Sequence, residues 1–158
     1  MRHHTDWLRA RLSTIPAVRT SSGVVPASFA KVFVTQAVYP RPHQALDVAP
    51  PYIVLHPVTG VAERTRSAGG IRQKNPRWTI HAVGSTADQA GWLGDAIEAE
   101  LIPGGVPVRP VFAGESAHPF WWSSPTPIDM DTDPTPPVFL HISECGFATE
   151  ITDPTGGA

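Results

Sequence analysis

The chain has 158 residues and a mass of 17.0 kDa, the size of one domain, long enough to fold without a metal or disulfide staple. Twelve Lys and Arg against 14 Asp and Glu leave a formal charge of -2, which excludes a general nucleic-acid coat, and no apolar run approaches the ~20 residues of a membrane span. The single cysteine, Cys145, excludes an internal disulfide and fits a reducing compartment.

The opening MRHHTDWLRARL lacks the apolar core of an export signal. Eighteen prolines and 13 glycines remove donors from helices and inner strands, so loops, turns and edges should take much of the chain. In chain order, Thr5–Ile15 reads as a short helix. Thr5 caps it, Asp6 sits at the positive end of its dipole, and Leu8, Leu12 and Ile15 share one face before Pro16 stops it. A turn follows at Ser21–Gly23. Lys31–Tyr39 alternates as a strand, and the link PRPHQALDVAPP leads to a second strand at Tyr52–His56. Pro57-Val58-Thr59-Gly60 reads as a turn. Residues 62–77 read as a mobile loop rich in arginine and glycine.

Arg77–Val83 is a third strand, with Trp78, Ile80 and Ala82 on one face. It is expected to pair antiparallel with Tyr52–His56 across the arginine-rich connection. Thr86–Ile102 is the clearest helix. Thr86 and Gln89 form a capping box, Ala90, Leu93, Ile97 and Leu101 make the apolar stripe, and Pro103-Gly104-Gly105 ends it. Val106–Phe112 reads as an edge strand interrupted by Pro107 and Pro110. Residues 118–137 read as a long loop, Val138–Phe147 as the last strand, and 152–158 as a flexible tail. The order lacks the regular alternation of a parallel sheet. It predicts a single α+β domain over 1–158: a mainly antiparallel sheet with helices packed on one face and long connecting loops.

The residues that could carry chemistry are few. His56, His81 and His141 fall on three predicted strands and would form a three-histidine metal site if those strands were neighbours in register. None of them shows ligand spacing, so half-buried, hydrogen-bonded imidazoles are the plainer reading. The run from Asp129 to Asp133 starts like a calcium loop, but Pro134 and Leu140 stand where the glycine and glutamate belong. An offset of four on a strand sets Cys145 and His141 ~13 Å apart, too far for a dyad. Neither a hydrolase elbow nor a phosphate-binding glycine loop occurs. No catalytic, cofactor or metal residue is therefore assigned. Two features suit a partner. Phe120-Trp121-Trp122 either anchors its loop or presents Trp121 and Trp122 as contacts. Arg64, Arg66, Arg72, Lys74 and Arg77, against Glu63 alone, concentrate positive charge in a chain that is negative overall, and this either solvates a hairpin tip or meets an acidic partner.

Four stretches carry a resemblance: the helix around DWLRARL, the strand and turn PPYIVLHPVTG, the strand-to-helix block RWTIHAVGSTADQAGWLGDAIEAEL, and the aspartate-rich loop before the final strand. The block from Pro51 to Leu101 is the strongest. In these the chain resembles the tail terminator proteins of long, non-contractile-tailed phages. The resemblance implies a small α+β domain that forms a hexameric ring, caps the tail tube protein, ends tube polymerisation and joins the head-completion (head-closure) proteins. It implies a virion protein assembled in the host cytoplasm, with no enzyme activity, no cofactor and no membrane. The arginine-rich loop would then face the tube rim or DNA passing through the channel. The alternatives are another head–tail neck protein, such as a head-closure or tail-tube component, and, further off, a metal-dependent enzyme using the three histidines.

Overall fold

The computed structural model describes residues 2–15, 19–20, 23–24, 31–34, 49–58, 63–64 and 71–151. Its main sheet is built on two long strands, β7 (Arg77–Gly84) and β11 (Val138–Gly146), paired antiparallel from Arg77↔Gly146 to Gly84↔Phe139. On the other side of β7 lies β4 (Tyr52–Val58), also antiparallel, followed by β3 (Val32–Val34), which is parallel to β4. Two short strands, β9 (Trp121–Ser123) and β10 (Asp129–Asp131), pair with opposite ends of β11 and form the far edge. A second sheet, in the order β5-β6-β12-β8, joins β5 (Glu63–Arg64), β6 (Ile71–Lys74), β8 (Glu115–Ala117) and β12 (Thr149–Ile151). A small hairpin pairs β1 (Arg19–Thr20) with β2 (Gly23–Val24). With helices α1 (Arg2–Leu12) and α2 (Ala87–Leu101), this is the α+β architecture the element order predicts.

Period-two alternation decides the faces. Ile53, Leu55, Trp78, Ile80, Ala82 and Cys145 point to the side covered by the helices and are buried there with Leu8 and Leu12 of α1. The stripe of α2 meets them: Ala90, Leu93, Ile97 and Leu101 are fully buried. Burying a leucine or isoleucine side chain contributes ~1.5–3 kcal/mol, so this face is the main source of stability. The opposite face carries a smaller cluster of Tyr52, Val54, Val83 and Val138. The cap of α2 is as expected at Thr86, which accepts from the Gln89 amide at 3.2 Å. Gln89 reaches one residue further back than a capping box would, accepting from the Ser85 amide at 2.8 Å. Gly104 and Gly105, both at positive φ, form the turn that ends the helix.

Several elements differ from the sequence reading. The first helix begins at Arg2 rather than Thr5 and ends at Leu12, before a turn at Ser13 and Thr14. Thr5 is therefore inside it, where its hydroxyl accepts the buried Trp78 indole N–H at 3.0 Å. Pro57 and Val58 belong to β4 rather than to a turn. The Ile53 amide bonds Lys31 on the β3 side, so the nitrogen of Pro57, two pairs further along, also faces β3, beyond that strand's described end. Its missing N–H therefore takes no bond from the ladder with β7. Val106–Phe112 is irregular chain with Val111 85% exposed, because Pro107 and Pro110 leave too few donors for a ladder. The expected loops at 62–77 and 118–137 contain β5 and β6, and β9 and β10, respectively. Thr149–Ile151, after the expected last strand, forms β12, an inner strand of the second sheet. Residues 35–39 of the expected first strand, most of the 40–51 link, Ser21, Ser22, Arg66 and the tail 152–158 lie outside the described residues.

Candidate functional site

The three histidines do not meet. His141 pairs with Ala82 on the helix-covered face, whereas His81 pairs with Val54 and Ile142 and points the other way. His56 joins His81, their ring centroids 4.5 Å apart. The His141 ring lies flat against Gly94, where any Cβ would come within 2.3 Å of Nδ1, and its Nε2 is 2.9 Å from the Ser124 hydroxyl. It is a packing group under α2, and the enzyme alternative loses its ligand set.

The His56–His81 pair has a consequence for stability. Burial, with His56 beside it, holds His81 down at about 4, against an ordinary value of 6.5. A depressed histidine favours folding only while it is neutral. Its contribution is complete above pH 6.5 and is lost as pH falls from 6.5 through 4. The melting temperature of His81→Gln is therefore expected to fall less steeply than that of the parent across this window. Parallel slopes would show that His81 titrates normally.

The residues expected to meet a partner separate by face. Trp121 pairs with Gly146 and Trp122 with Cys145, so the adjacent tryptophans lie on opposite sides of the sheet. Trp122 packs against the main core together with Phe120, which anchors the segment. Trp121 is 38% exposed, with the Arg77 guanidinium 5.8 Å from its ring centre. These two line a pocket of about 120 Å³ with Val58, Trp78, Thr79 and Glu144. It is smaller than the ~300–1,000 Å³ of ligand pockets, which suits a side chain better than a substrate. Trp121 continues into an edge on which Ile128 and Met130 are also exposed, Met130 by 51%, flanked by Asp129 and Asp131.

The basic stretch leaves the main sheet. Arg64 lies on β5 and Arg72 on β6, so the connection between β4 and β7 is an arm of the second sheet. Lys74 turns inward and donates to Glu115 Oε1 at 3.0 Å. Around that carboxylate gathers a cluster the sequence did not disclose. His4, fully buried, donates from Nε2 to Oε2 at 2.8 Å, His3 to Oε1 at 3.3 Å, and the Thr149 hydroxyl to Oε2 at 3.1 Å. Burial alone would raise the pKa of Glu115, but the bonds from His4, Lys74 and Thr149 outweigh it and hold the group down at about 2. His4 is itself lowered, by burial, and stays neutral. Cys145 is buried and its thiol pKa is pushed up, so it is no nucleophile.

No protein-family model matches the chain, and a search of the curated proteins finds no match either.

Proposed function

We propose that this chain is a structural virion protein that closes into a ring, most simply of six copies, on the end of a phage tail tube. There it stops polymerisation and offers its other side to the head-completion proteins. The resemblance in Pro51–Leu101 motivates the reading, and that stretch spans one continuous unit, β4, the arm, β7 and α2.

The observation that carries it is the segregation of two unlike surfaces. The outer edge of the main sheet is acidic and apolar, with Asp129, Met130, Asp131 and the exposed Trp121. The segment holding Arg64, Arg66 and Arg72 belongs to an arm whose described strands lie in the other sheet. Copies related by rotation form heterologous contacts, in which one patch meets a different patch on the next copy. An acidic edge and a basic arm meet that requirement, and an incompletely paired edge accepts a neighbour's backbone.

Native mass spectrometry, with and without assembled tail tubes, tests the reading. A closed oligomer is expected in at least the tube-bound sample, with capping that weakens as salt rises. Replacing Arg64, Arg66 and Arg72 together by Ser should abolish it without altering the melting temperature. A strictly monomeric parent protein in both samples would overturn the proposal.

A further inference from the structure

The cluster at Glu115 is independent of the ring reading. We propose that His3, His4 and Glu115 form a binding site for a single divalent transition-metal ion, Zn²⁺ being the best fit, which staples the first turn of α1 to the second sheet. One ring nitrogen from each imidazole and a carboxylate oxygen of Glu115 all lie within 4.8 Å of one another. Two imidazoles and one carboxylate are a donor set that suits zinc, with the fourth tetrahedral position left to water.

The distances fit. Metal–ligand bonds of about 2.0–2.2 Å in a tetrahedron separate neighbouring ligand atoms by about 3.3–3.6 Å. His3 Nε2 is already 3.3 Å from Glu115 Oε1, and His4 Nε2 is 2.8 Å from Oε2, so an ion held by one oxygen requires a small turn of the carboxylate to bring that oxygen between the two rings. Adjacent residues on a helix normally point ~100° apart. Here both rings reach the same carboxylate, their centroids 3.9 Å apart.

The carboxylate is prepared from behind. Each oxygen accepts two bonds: Oε1 from His3 and Lys74, Oε2 from His4 and Thr149. An incoming ion takes the place of the two imidazole protons, which move to Nδ1. Lys74 and Thr149 stay as the outer partners that orient a ligating carboxylate. His4 is sealed inside, whereas His3 has a side chain 52% exposed and leaves the ion a way in. Lys74, about one-third exposed, has room to swing its charge outward.

The test uses the untagged full chain, stripped with a chelator and titrated with ZnCl₂ and, separately, CoCl₂. One equivalent of either metal should bind, Co²⁺ should give the intense visible bands of a four-coordinate site, and Zn²⁺ should raise the melting temperature. His3→Ala, a change at a half-exposed position, should keep the fold and weaken binding at least ~10-fold. Glu115→Gln should remove the Co²⁺ bands, and if it fails to fold, the His3→Ala result decides alone. Absence of saturable binding below about 100 µM metal, or binding unchanged in His3→Ala, would overturn the site. The second outcome would point to the His56–His81 pair instead.

Discussion

Gly84→Ala is expected to unfold much of the population at moderate denaturant, with a loss of about 3 kcal/mol, the upper end of the usual cost of overpacking. Gly84 ends β7, and α2 begins only three residues later. A Cβ there would lie 2.5 Å from the Ala90 nitrogen and 2.8 Å from the Thr86 carbonyl oxygen. Both are backbone atoms of the helix's first turn, so no rotamer change relieves the clash. The helix must shift, and Ala90 and Leu93 shift with it out of the core. Gly91→Ala, in the same helix, is the informative contrast. Its Cβ would meet only the tip of Ile128 at 3.1 Å, a partly exposed side chain with room to turn, while alanine gains ~1 kcal/mol of helix propensity. That variant should be as stable as the parent or slightly more so. Urea melts of the two decide the matter: a Gly84→Ala midpoint equal to the parent's would mean that α2 does not start against the end of β7.

Trp78→Ala should cost ~3–5 kcal/mol. The indole is 1% exposed and lies between Phe120, centroids 6.2 Å apart, and Phe147, at 5.9 Å. Its N–H is held by Thr5 of α1, so one side chain ties the main sheet to the first helix and to the aromatic cluster beneath it. Trp78→Phe removes the hydrogen bond and part of the volume and should cost less. Thr5→Val leaves a buried indole N–H without its acceptor, a penalty of ~1–3 kcal/mol. In the double variant Trp78→Phe/Thr5→Val that penalty disappears, so the two changes together should cost less than their sum by ~1 kcal/mol. Strict additivity would mean that the bond contributes nothing and that the tryptophan acts through its bulk.

How the chain distributes its information follows from these residues. The helix at 87–101 was legible because its signals are local: a cap, a stripe at helical spacing and a glycine stop, all within twenty residues. The β4–β7 pair was legible because Tyr52–Leu55 is a continuous apolar run, Arg77–Ala82 alternates, and the two flank a polar connection. The separation of His141 from His81 was not legible: parity put each histidine opposite the apolar residues of its own strand, Val138, Leu140 and Ile142 beside His141, whereas the helix-covered face takes His141, Ser143 and Cys145 instead.

Tertiary structure decided the rest. Thr5 looked like a helix cap, but Trp78, 73 residues away, engages its hydroxyl, and the helix starts a turn earlier. Strands β9 and β10 carry no alternation of their own; the length of β11 templates them along its free edge. Trp121 and Trp122, neighbours in sequence, could be divided into one exposed and one packed residue only once that pairing was known. The Glu115 cluster is the extreme case. His4 lies 111 residues from its carboxylate, and Lys74 and Thr149 come from two further strands. Sequence fixes local backbone preference and the period of burial, because these depend on neighbours a few residues apart. A site assembled from a helix and three strands depends on how separate elements dock, and no local pattern of residues encodes that.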